Sequence, residues 1–215
     1  EPYRRQRQMC IRDRGYIGTK KASPILINGL LRLEYRGYDS AGISTIEKDG
    51  LSIMKDKGRV KNLNNLPGID DLEGTIGIAH TRWATHGKPS KENSHPHMDN
   101  SKTFSVVHNG IIENYVALRE ELKADGVEFK SETDTEVIPQ LLARCYTGDF
   151  FEAVAKTVKR LEGSYALGII CTDYPDTLIA VRKFSPLILG LSDDANYIAS
   201  DVTAIVSHTK DIMYI

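Results

Sequence analysis

Apolar positions along the 215-residue chain follow two rhythms, and their alternation predicts the elements. Ile25, Leu26, Leu30 and Leu33 recur at helical spacing up to Tyr35, after Ser23-Pro24, which reads as an N-cap with proline at the first helical position. Short β-rich runs follow at 41–46, 51–55, 75–81 and 103–108. Helices are expected at 114–124, 134–146 and 149–161. The first carries Tyr115, Leu118 and Leu122 on one face and stops at Gly126; the last carries Phe151, Val154, Val158 and Leu161. Further strands are expected at 164–172, 177–183, 187–191 and 196–199, parted by Tyr174-Pro175-Asp176, Ser185-Pro186 and Asp193-Asp194. The chain stops on a strand-like run, Asp211 to Ile215, which suggests a fragment of something longer. Closely spaced strands favour antiparallel pairing, and helices between two sets of strands favour sheets covered by helices. No repeat, low-complexity tract or linker divides the chain, so one domain is expected.

Composition narrows this picture. With 40% hydrophobic and 27% charged residues, the chain reads as an ordinary globular protein. No stretch approaches the roughly 18 apolar residues of a membrane span. A net charge of -1 argues against a nucleic-acid binder. The three cysteines, Cys10, Cys145 and Cys171, give neither a disulfide framework nor a thiolate zinc site, and a cytoplasmic location is expected. The charge is uneven, however. Residues 1–14 hold Arg4, Arg5, Arg7, Arg12 and Arg14 against Glu1 and Asp13, a net +3, which leaves -4 for residues 15–215. Such a step suggests a foreign or unprocessed leader ahead of a domain at 15–215.

Candidate chemistry gathers in four clusters: 35–42, 80–87, 108–114 and 131–136. Arg82 offers a planar fork suited to a carboxylate, and Trp83 stands beside it in a long polar stretch, placed either to cover a ligand or to tuck against the body. Asn109-Gly110 can donate to an oxyanion, but the pair is also the commonest tight turn, and the turn reading leads at this point. Residues 131–136, Ser-Glu-Thr-Asp-Thr-Glu, look like a helix cap, with Asp134 as an alternative partner for a substrate ammonium. His80, His86, His95, His97 and His108 raise a metal reading, yet their spacing matches no zinc signature, and no metal is expected.

Taken together, the strings LEYRGYDSAG (33–42), GIAHTRWATHG (77–87), HPH (95–97), VVHNGIIEN (106–114) and SETDTEV (131–137) resemble the glutaminase domain family of the glucosamine-6-phosphate synthases, which are class II glutamine amidotransferases. The segments PDTLIAVR (175–182) and YIASD (197–201) extend the resemblance. It implies an α+β fold of the N-terminal-nucleophile hydrolase type, a four-layer αββα sandwich with two antiparallel sheets. It also implies L-glutamine as substrate, no cofactor, and ammonia passed to fructose 6-phosphate on an isomerase domain absent from this sequence, in a full-length homodimer. Carried over residue by residue, Arg82 would hold the glutamine α-carboxylate and Asp134 its α-ammonium. Asn109 and Gly110 would form the oxyanion hole, which displaces the turn reading. Trp83, Thr85 and His86 would close over the substrate, and Arg36 and Asp39 would buttress the site.

The nucleophile departs from the pattern. The family begins Cys-Gly-Ile-Val-Gly, and its free α-amine serves as base for the thiolate. Aligned on Gly15-Tyr16-Ile17-Gly18, that cysteine falls on Ile11, so Cys10 is one residue out of register, and Arg12, Asp13 and Arg14 replace small apolar residues. Charges in a buried strand cost several kcal/mol unless paired or exposed. Impaired turnover is therefore expected of this chain. Two other readings remain open at this point: a non-catalytic glutamine-binding module, and another class II amidotransferase.

Overall fold

The computed structural model describes residues 12–33, 39–82 and 88–215. In chain order its strands are β1 (Arg12–Gly18), β2 (Ser40–Glu47), β3 (Gly50–Lys57), β4 (Ile76–Arg82), β5 (His97–Met98), β6 (Phe104–Ile112), β7 (Gly163–Cys171), β8 (Leu178–Lys183), β9 (Ile188–Leu191), β10 (Ala195–Ala199) and β11 (Asp211–Tyr214). The helices are α1 (Ala22–Leu33), α2 (Val60–Asn64), α3 (Tyr115–Ala124), α4 (Val137–Cys145) and α5 (Phe150–Val158). Seven strands form one sheet in the order β11-β9-β10-β1-β4-β2-β3, and four form a second, β5-β6-β7-β8. Every ladder between these strands is antiparallel.

Strand alternation sorts the side chains into layers. On β4, Ile76 and Ile78 face the second sheet, where they meet Val107 and Ile170; Ala79 faces the other way, into a cluster with Leu26 and Leu30 of α1 and Leu63 of α2. On the second sheet, Val106, Leu167 and Ile169 pack against α3, α4 and α5 through Leu118, Leu141 and Phe150. The result is helix, sheet, sheet, helix, the four-layer sandwich expected.

The helices largely follow their apolar spacing. In α3, Leu118 and Leu122 form the buried stripe, and Gly126, at φ +88, ends it. In α5 the Asp149 carboxylate accepts the Glu152 N–H at 2.9 Å, which satisfies one of the unpaired donors of the first turn. The buried face of α5 is Phe150, Ala153, Val154 and Thr157, whereas Phe151 is 62% exposed. The expected face was therefore wrong by one residue at its start. The set 150, 153, 154, 157 fits i, i+3, i+4, i+7, and two adjacent phenylalanines disguise which of them begins it.

The boundary expected at residue 14 falls within β1. Arg12 pairs with Thr81 and Asp13 with His80, in the middle of the large sheet. Asp13 and Arg14 are fully buried, and neither side chain has a hydrogen-bond partner among the described residues. Asp13 faces the second sheet, with one oxygen 3.4 Å from His80 Nε2. Arg14 points to the opposite layer, where its guanidinium fills the space beside Gly29 of α1. Burial drives the Asp13 carboxyl well above its ordinary range and lowers Arg14 to about 10.

Candidate active site

The site forms where the two sheets and the segment before α4 meet. Arg82 ends β4 and is 3% exposed; its carbonyl accepts the Asp39 N–H at 2.9 Å. Burial lowers the Arg82 guanidinium from its ordinary value, while the negative charges of Asp39 and Asp134 pull it back up. Arg82 therefore sits in the field of two carboxylates. Asp39 has a local role too, accepting the Ser40 hydroxyl at 3.0 Å.

Asn109 and Gly110 lie inside β6, opposite Ala166 and Tyr165 of β7, and not in a turn. Gly110 has φ +141, and a Cβ there would stand 2.0 Å from the Ser164 carbonyl oxygen, so only glycine fits. Asn109 shares a strand face with Val107, the face turned to the first sheet. Gly110 presents the opposite face, with His108, to the cleft. Gly110 thus reaches the cleft, with a backbone conformation that favours glycine, while Asn109 lies on the opposite face of the strand.

Residues 131–136 do not cap α4. The helix begins at Val137 after Glu136, and no side chain caps it. The polar groups serve tertiary contacts instead. Asp134 accepts the Ile112 N–H at 2.8 Å, which ties the segment to the end of β6. Glu136 turns back to accept the N–H groups of Lys130 and Ser131 at 2.8 and 2.7 Å. The Thr135 hydroxyl sits between His95 Nε2, at 2.9 Å, and His108 Nδ1, at 2.8 Å, and the Thr133 hydroxyl meets His97 Nε2 at 3.1 Å. Arg82, Gly110, Thr133, Asp134 and Thr135, with His95 and His108, line one small cleft.

The histidines form a buried platform behind that cleft. His80 Nε2 contacts the His108 carbonyl at 3.1 Å, its ring stacks on His95 at 4.1 Å between centroids, and His97 meets His95 edge-on at 4.8 Å. Burial, the largest cause, and neighbouring positive charge hold His80, His95 and His97 well below the usual imidazole range, so they stay neutral. Among the described residues, no three His, Cys, Asp or Glu side chains come together as a metal-holding group. Sequence reasoning missed the roles of Thr133, Thr135 and Asn93. Asn93 accepts the Glu132 N–H at 2.8 Å and donates to the Lys88 carbonyl at 2.9 Å, joining the 88–98 segment to the 131–136 segment. Cys10, Arg36, Trp83, Thr85 and His86 lie outside the described residues. Among those described, Cys145 is half-buried and Cys171 is buried, both as free thiols.

The glutamine amidotransferase domain family matches residues 80–207, a span that includes Arg82, Asn109, Gly110 and Asp134. The chain belongs to that family. It is 57% identical over 201 residues to the glutamine–fructose-6-phosphate aminotransferase (isomerizing) of Clostridium acetobutylicum, covering 94% of this chain and 33% of the relative. The enzyme of the same name from Aquifex aeolicus is 53% identical over 199 residues, covering 93% and 34%. The chain thus spans about a third of the length of the curated relatives it matches. Among solved structures, the glutamine phosphoribosylpyrophosphate amidotransferase from B. subtilis superposes with a TM-score of 0.78 at 26% identity, covering 95% of this chain and 44% of that one. Arg82 and Asp134, of opposite charge, line the same cleft.

Proposed function

We propose that this chain is the glutaminase part of a glutamine–fructose-6-phosphate aminotransferase, releasing ammonia from L-glutamine. The observation that carries the reading is the convergence of Arg82, Gly110 and Asp134 on one cleft, with Arg82 between the charges of Asp39 and Asp134. In this reading Arg82 binds the α-carboxylate. Asp134 has one oxygen on the Ile112 N–H, and its other takes the α-ammonium. The carboxamide then lies towards Asn109 and Gly110, whose N–H donors stabilise the oxyanion formed on thiolate attack. A thioester forms, ammonia leaves, and water releases glutamate. Trp83, Thr85 and His86 close over the substrate, and the ammonia reaches fructose 6-phosphate on a separate isomerase domain of a full-length homodimer in the cytoplasm.

The thiolate would be supplied by a cysteine at position 11, ahead of a strand of small apolar residues. The burial of Asp13 and Arg14, neither with a hydrogen-bond partner among the described residues, supports residues 1–14 being foreign to the domain, with Cys10 out of register. The same observation favours one second reading, a glutamine-binding module without turnover. The test is steady-state glutaminase kinetics on a chain in which Cys-Gly-Ile-Val replaces residues 1–14, ahead of Gly15. Arg82→Ala should raise KM for glutamine by about a hundredfold or more, as expected for loss of a charge-assisted bidentate contact worth roughly 3 kcal/mol. An unchanged KM would reject the assignment.

A further inference from the structure

We infer that Lys55, on the outer strand of the large sheet, is a positioning residue for the glutamine site, acting through the segment 88–98. The inference rests on the glutaminase reading only for its effect on turnover. Lys55 stands opposite Gly42 in the β2–β3 ladder. Its ammonium donates to three carbonyls of one segment: Ser94 at 2.7 Å, Pro96 at 3.1 Å and Glu92 at 3.4 Å. Three acceptors match the three protons of a lysine. Where the segment crosses the sheet, the His95 carbonyl lies so close to Gly42 that a Cβ there would be 2.1 Å away. The backbone of residues 92–96 is thus pressed onto β2 and held by one cation.

His95 of that same segment reaches the cleft, and His97 lies in the groove beside Lys55. His95 meets Thr135 and His97 meets Thr133, the two residues that flank Asp134. Displacing the backbone at residues 94–96 moves both imidazoles, and with them the threonines on either side of Asp134, which line the cleft with it. Lys55 also lies within the field of Glu136, whose carboxylate folds the 130–136 segment onto itself. Burial lowers the Lys55 ammonium to about 8, which leaves it charged at pH 7. A neutral side chain of similar length would fill the space but leave three carbonyls without a donor, in a stretch where Asn93 to His97 are buried.

The test uses Lys55→Met, Lys55→Gln and Lys55→Arg, each checked by circular dichroism for native secondary structure. The first readout is the ring resonances of His95 in the chain as it stands, because the Lys55 charge lowers His97 directly and is not among the charges acting on His95. In the parent they should not titrate between pH 5 and 8; in Lys55→Met and Lys55→Gln they should, and Lys55→Arg should restore the parent behaviour. The second readout is glutamine turnover in the chain carrying Cys-Gly-Ile-Val ahead of Gly15. There KM should rise about tenfold with kcat within about twofold, again rescued by Lys55→Arg. An unchanged His95 ring in a folded Lys55→Met or Lys55→Gln overturns the inference, and so does a ring that titrates while KM stays put. Failure of the glutaminase reading is separate: it appears as an inert parent or as indifference to Arg82→Ala, whereas the ring readout does not depend on turnover.

Discussion

Arg14 is the residue most at odds with its surroundings. Its guanidinium lies in the apolar layer between α1 and the large sheet, fully buried and without a hydrogen-bond partner among the described residues. A charge held there favours the unfolded chain, and its depressed ionisation is the same penalty seen from the proton's side. Arg14→Met keeps most of the volume beside Gly29 and removes the charge. It should stabilise the protein by roughly 1–4 kcal/mol, read as a higher urea midpoint at unchanged m-value. A lower midpoint would mean that Arg14 has a compensating partner. At this scale the sequence was partly legible. The charges of Asp13 and Arg14 were conspicuous, and so was the suitability of Arg82 for a carboxylate. The contact of Asp134 with the Ile112 N–H was not, because the two are 22 positions apart, and a carboxylate within Ser-Glu-Thr-Asp-Thr-Glu looks locally like a cap. Asn109-Gly110 misled in the same way: the pair is a turn by local propensity, and pairing with β7 overrides it.

The platform of β4, β5, β6 and the 131–136 segment makes a prediction at the scale of elements. His80, His95 and His97 are neutral in the folded protein, whereas in the unfolded chain they bind protons near pH 6.5. The native state therefore binds fewer protons below that pH, and stability rises with pH through this window and levels off above about pH 7. Asp13 works in the opposite sense, since its raised ionisation makes the native state hold a proton that the unfolded chain has lost. Measured in Asp13→Asn to remove that contribution, unfolding free energy should fall by about 3–4 kcal/mol between pH 7.5 and pH 5.5. A flat profile would contradict neutral burial of the three rings. Among the elements, long periodic segments such as α1, α3, β6 and β7 could be read directly. The five-residue α2 and the two-residue β5 could not, because segments so short carry no periodicity. The start of α5 slipped because Phe150 and Phe151 are both apolar and only packing against Phe104 and Tyr174 chooses between them.

For the whole molecule, the cleft gathers residues from both sheets. Arg82 arrives on the first sheet, Gly110 on the second, and Asp134 on the segment tied to the end of β6. The layered fold followed from strand spacing and helix grouping, but the meeting of these residues required the sheet order, which no local pattern contains. The net charge of -1 is the sum of +3 over residues 1–14 and -4 over residues 15–215. The measurement that tests the proposed function most directly is glutamate release from L-glutamine by two versions of the chain. One is the chain as it stands, and the other carries Cys-Gly-Ile-Val in place of residues 1–14. The second should turn glutamine over and the first should release little or no glutamate. A folded second version that stays inert, or equal release by both, would contradict the account.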